Sequence, residues 1–127
     1  MSSSSSSRAR LRAFALAAAL GLAGALHAQE ALRPDVGKPL QAAQELIKGG
    51  KFREALAKVR EADAVPNKSA HESYTIERMR IAAASGAGDV ETAARSFEAI
   101  AASGKASAAD RIRMVESIAG SYYRAKD

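Results

Sequence analysis

The residues of this chain that could do chemistry are few. His71, next to Glu72, is a possible general base or metal ligand. A catalytic triad or a metal site needs further nitrogen or sulfur groups, and the sequence has no cysteine. The one other histidine, His27, falls in the N-terminal leader read below. Glu54 and Glu61, like Glu91 and Glu98, stand seven residues apart. Catalytic carboxylate pairs converge from different elements, whereas this spacing repeats along single helix faces and matches a solvated surface with Lys and Arg partners. Gly49-Gly50 and Gly86-Ala87-Gly88 lack the strand–loop–helix setting and the trailing Lys-Ser/Thr of a phosphate loop, so they read as helix stops. The expectation is a non-enzyme with no catalytic, cofactor-binding or metal-binding residues and no cofactor.

Basic residues are the next candidates. The formal charge is +5, with 19 Lys and Arg against 14 Asp and Glu in 127 residues. Arg78-Met79-Arg80 and Arg111-Ile112-Arg113 are the densest basic pairs beyond the leader. Residues two apart on a helix point about 200° from each other, so neither pair forms a patch. Glu72, Glu77, Asp110 and Glu116 flank them, which argues against a phosphate track and hence against nucleic acid as a partner.

The first 28 residues read as a secretory signal peptide. Arg8, Arg10 and Arg12 precede fourteen small or apolar residues from Ala13 to Leu26, and Ala28 offers a cleavage position. Fourteen residues fall short of the roughly 20 needed to span a bilayer, so no stable membrane insertion is expected after cleavage. The three arginines leave with the leader, and the remaining chain carries +2, with 16 bases against 14 acids. Residues 29–38 are expected to be a linker, and residues 39–127 a helical domain in the periplasm or secreted.

Thirty-one alanines favour helix, and no segment alternates with period two. Five helices follow from spacing and caps. The first starts at Pro39 and stops at Gly49-Gly50. The second buries Phe52, Ala55, Leu56, Val59 and Ala62. Ser69 and Glu72 form a capping box for the third, with Ile76, Met79 and Ala83 on one stripe and a turn at Ser85–Gly88. Asp89 caps the fourth, which carries Val90, Ala93, Ala94, Phe97 and Ile100. Ser107 opens the fifth, whose stripe is Ile112, Val115, Ala119 and Tyr122. A shift of 38 residues superposes Phe52 on Val90, Ala55 on Ala93, Leu56 on Ala94, Val59 on Phe97 and Ala62 on Ile100. Helix pairs with such a period mean stacked hairpins.

These residues resemble the tetratricopeptide repeat family. Gly49-Gly50-Lys51-Phe52-Arg53-Glu54-Ala55-Leu56, with Ala62 and Pro66, looks like that family's turn and second helix. Gly88-Asp89-Val90-Glu91-Thr92-Ala93 with Phe97 repeats it, and Ile118-Ala119, Tyr122-Tyr123 and Lys126-Asp127 resemble the start of a third unit. The period is 38 rather than 34, the family's tryptophan is missing, and Arg80 and Ile81 occupy an apolar and a small position, as an added residue in the Ser85–Gly88 turn would explain. The resemblance implies an all-α fold, with antiparallel helix hairpins stacked as a right-handed solenoid of about two and a half repeats.

It also implies a protein–protein interaction module, a scaffold or adaptor that binds a peptide or a partner helix in a groove lined by first helices. The positions implied for contact are Gln41, Gln44 and Lys48, then Arg78, then Arg113, Glu116 and Tyr123. The alternative is a structural protein that associates with itself through its C-terminal helix, or a truncated piece of a longer array. Ile118, Tyr122 and Tyr123 are expected to leave apolar surface there.

Overall fold

A computed structural model describes residues 31–126. The leader expected over residues 1–28, with its cleavage and the export it implies, lies outside the described residues. Those described form five helices and no strand: α1 (Pro34–Lys48), α2 (Phe52–Asp63), α3 (Ala70–Ala87), α4 (Val90–Ser103) and α5 (Ala108–Lys126).

Helix α1 begins five residues before Pro39, which corrects both the expected start and the extent of the linker. Pro34 takes an N-terminal position where its missing N–H is no loss, and Asp35 sits in the first turn. Pro39 is accommodated inside the helix. At the other end Gly50 adopts φ +75°, and the Lys51 N–H donates to the Leu46 carbonyl at 2.8 Å. The turn after α3 repeats this conformation 38 residues on, with Gly88 at φ +76° and the Asp89 N–H donating to Ala84 at 2.9 Å. Ala55 and Ala93, at the same offset, are both fully buried.

Helix α3 is the hub and packs against all four others. Val36, Leu40 and Ala43 of α1, Ala55, Leu56, Val59 and Ala62 of α2, and Ile76, Ala83 and Ala84 of α3 form the main core with Ala93. Ile81 turns to the other side and packs with Ile100 of α4 and Met114 of α5. The expected single stripe of α3 is therefore incomplete, because this helix is covered on two sides. Full burial of a side chain such as Ile76 is worth about 1.5–3 kcal/mol.

The turn expected over Ser85–Gly88 is confined to Gly88, which adopts φ +76°. The helix runs to Ala87, and Gly86 serves packing instead. A Cβ on Gly86 would lie 2.1 Å from Cδ1 of Phe52, so the ring rests directly on the α3 backbone. Arg80, which with Ile81 departs from the repeat pattern expected from sequence, is accommodated by ion pairing. It donates to Asp63 of α2 at 2.7 Å and to Glu77 one turn before it.

The start of the bundle is clamped. Ser69 and Glu72 form the capping box, with Glu72 N–H donating to Ser69 Oγ at 3.0 Å and Ser69 N–H to Glu72 Oε1 at 2.9 Å. The same carboxylate, almost wholly enclosed, accepts from Arg33 Nε at 3.1 Å and from the Arg33 backbone N–H at 3.2 Å. Arg33 also donates to the carbonyls of Pro66 and Asn67. One side chain thus ties the entry of α1 to the α2–α3 loop and the entry of α3.

Candidate partner-binding site

Helices α1, α3 and α5 are neighbours in space: α1 packs on α3, and α3 on α5. Helices α2 and α4 each pack on α3 but not on each other.

All seven residues implied for partner contact are exposed. Gln41, Gln44 and Lys48 share one face of α1 by their three-and-four spacing, and Lys48 reaches Glu45 at 3.5 Å. Arg78 lies over the Tyr74 ring, 5.7 Å from its centroid, a cation–π contact that holds the guanidinium in place. Arg78 and Arg113 come together at a cleft of about 160 Å³ between α3 and α5, with Asp110 beside them and Ile81 and Met114 among its lining. Two guanidiniums at an opening with an apolar lining suit a carboxylate-bearing chain. Gln41, Gln44, Lys48, Glu116 and Tyr123 do not line this cleft.

From sequence Asp110 is an acid flanking Arg111 and Arg113, and its N–H donates to Ser107 Oγ at 3.1 Å. Its place in the cleft follows from the packing of α5 on α3, which no local spacing encodes. His71 lies half-buried in the first turn of α3, and its carbonyl accepts from Thr75 Oγ1 at 2.9 Å.

Helix α5 corrects the expected stripe. Met114 and Ser121 are its buried residues, with Ile118 half-buried and touching both core clusters. Ile112, Val115, Ala119 and Tyr122 point the other way. Ile112 is 59% exposed and Tyr123 72%. The Tyr122 and Tyr123 rings meet edge to face at 6.3 Å, and Lys126 lies over Tyr122 at 4.6 Å. The buried hydroxyls of Ser85 and Ser121 have no hydrogen-bond partner.

Among the described residues, Glu72 and Asp89 are the acids whose ionisation the structure shifts. The Arg33 guanidinium, with the Ser69 N–H, holds Glu72 down from 4.5 to about 2. Asp89 is lowered by its bonds to Thr92, at 2.7 Å from Oγ1 and 3.1 Å from the backbone N–H, with Arg95 and Arg60 adding their charge. Both shifts belong to helix caps. Among the described residues no helix is long and apolar enough to cross a membrane. No family model matches the chain, and neither a curated protein nor a solved structure matches it.

Proposed function

We propose that this chain is an exported, tetratricopeptide-like interaction module, a non-catalytic scaffold or adaptor that binds an extended peptide or a partner helix. In this reading α1–α2 and α3–α4 are two stacked hairpins, and α5 is the first half of a third, in a right-handed solenoid. The observation that carries it is the row α1, α3, α5, which presents Gln41, Gln44, Lys48, Arg78, Arg113, Glu116 and Tyr123 to solvent and brings Arg78 to Arg113. The 38-residue correspondence of Gly50 with Gly88, and of Ala55 with Ala93, supports the hairpin repeat. The test is an NMR titration with a panel of peptides ending in a free carboxylate. Shift changes clustered at Arg78 and Arg113, and abolished by Arg78→Gln/Arg113→Gln, support the reading. A panel that moves no resonance on α1, α3 or α5 contradicts it.

The second reading is self-association through α5, favoured by the exposed stripe of Ile112, Val115, Tyr122 and Tyr123. Sedimentation velocity over a hundredfold range of concentration separates the two. Oligomers that grow with concentration and vanish on Ile112→Ser/Tyr123→Ser support self-association, and a constant monomer sinks it. Ile118 is unsuitable for this test, because it belongs to the core.

A further inference from the structure

The exposed side of α5 carries a pattern finer than apolarity. Ala108, Ile112, Val115, Ala119, Tyr122 and Lys126 follow one another at intervals of four and three residues along the whole helix. That is the spacing of a two-helix seam, in which every seventh residue returns to the partner. In heptad terms Ile112, Ala119 and Lys126 take the a position, and Ala108, Val115 and Tyr122 the d position. All six are exposed, and Lys126 closes the stripe with its ammonium over the Tyr122 ring. The side of α5 that rests on α3 and α4 carries Met114, Ile118 and Ser121 instead. Two charges flank the seam. Arg111 stands on one side of it and Glu116 on the other, about 140° apart around the axis, so they do not reach each other within one chain. Both are exposed, and neither has an ion pair among the described residues.

We propose that this face of α5 forms a parallel two-helix seam with α5 of a second copy, closed by Arg111 of each chain on Glu116 of the other. The proposal rests on the second reading above and adds to it the partner helix, its direction and its register. An isologous interface needs a surface that complements itself. Here the same stripe on a second copy presents each flanking charge with its opposite, because Arg111 is a g position and Glu116 the e position five residues on, the pair that meets across a parallel seam. Each copy then supplies one half of two identical ion pairs. Ile112, Val115, Ala119 and Tyr122 meet their own counterparts in successive layers, and Tyr123 of one copy covers the outer side of Ile118 of the other. The antiparallel alternative that keeps the stripe in register sets Ala108 against Lys126 and Val115 against Ala119. It brings Glu116 toward its own copy and leaves Arg111 beside Ala125, so charge selects the parallel arrangement. At 19 residues α5 offers under three heptads, which makes a weak dimer that forms and parts readily at moderate concentration.

The test is a charge swap read by sedimentation equilibrium of the full chain at low salt. Dimerisation is expected to weaken at least tenfold in Arg111→Glu and in Glu116→Arg, and to return in Arg111→Glu/Glu116→Arg. Both positions are exposed, so the helical circular dichroism stays unchanged. Direction is read separately, because the chain has no cysteine and single thiols report cleanly. An oxidised equimolar mixture of Val115→Cys and Ala119→Cys should give the two homodisulfides, as a parallel seam brings each position to its own copy. Dimers that ignore the swaps, swaps that do not compensate, or a dominant Val115–Ala119 heterodisulfide overturn the parallel seam and leave self-association through α5 standing. A chain that stays monomeric at every concentration overturns both.

Discussion

The two ends of this helix array are built to different standards of enclosure. At the first end, α1, α2 and α3 bury Val36, Leu40, Ala43, Ala55, Val59, Ala62 and Ile76 together, and Arg33 ties three chain segments to one carboxylate. At the last end, α5 buries Met114 and Ser121 and leaves Ile112, Val115, Tyr122 and Tyr123 in water. The difference does not lie in apolar content, since α5 is as rich in large apolar side chains as α1. It lies in coverage: α1 packs closely along α2 and also touches α3, whereas α5 rests more lightly on α3 and α4. An amphipathic helix contributes stability only through the face that something covers, and the uncovered face remains for binding.

Deletions in the two cores give the largest contrast. Ile76→Ala is expected to cost about 3–4 kcal/mol in urea unfolding and Met114→Ala about 2 kcal/mol, because the smaller cluster can relax toward solvent. Equal losses would mean that α5 is as firmly packed as α3.

Next comes the contact of Phe52 with Gly86. Gly86→Ala drives a methyl into the ring and should destabilise by about 2–3 kcal/mol. With Phe52→Ala already present, the same change should be almost neutral, so a double-mutant cycle with a strong interaction energy is the check.

Acid acts on the clamped end. Glu72 has its carboxyl lowered from 4.5 to about 2, so its contribution to stability is fully present above 4.5 and is lost as the pH falls toward 2. Melting temperature measured across that window should fall in the natural chain, and the part of the fall due to this group should be missing in Glu72→Gln. An unchanged pH profile in the variant would sever Glu72 from acid stability.

Smaller still are the caps. Ser69→Ala, which breaks a two-way box, should cost about 1 kcal/mol, and Ser107→Ala, which loses one exposed bond, about 0.5 kcal/mol. Ile112→Ser should be close to neutral for unfolding, within about 0.5 kcal/mol, since that side chain is mostly in water.

What could be read from the sequence was local. Ser69 with Glu72, Asp89 with Thr92 and Ser107 with Asp110 announce helix starts because donor and acceptor lie three residues apart, and all three caps form. The all-helical class follows from the same short-range patterns, and the seven contact positions implied by the resemblance are all exposed. Long-range packing was hidden. Gly86 looks like a helix stop until Phe52, 34 positions earlier, is placed upon it. Helix α5 carries apolar residues on two faces, Met114 with Ile118 and Ile112 with Val115, Ala119 and Tyr122, and periodicity cannot tell which face meets a neighbour.

Amide hydrogen exchange, residue by residue at low and high protein concentration, tests the unequal enclosure of the two ends most directly. The account predicts that amides of α3 from Ile76 to Ala84 exchange only through global unfolding, and that those of α5 from Val115 onward exchange at least tenfold faster at both concentrations. Equal protection along α3 and α5 in the dilute monomer would contradict it.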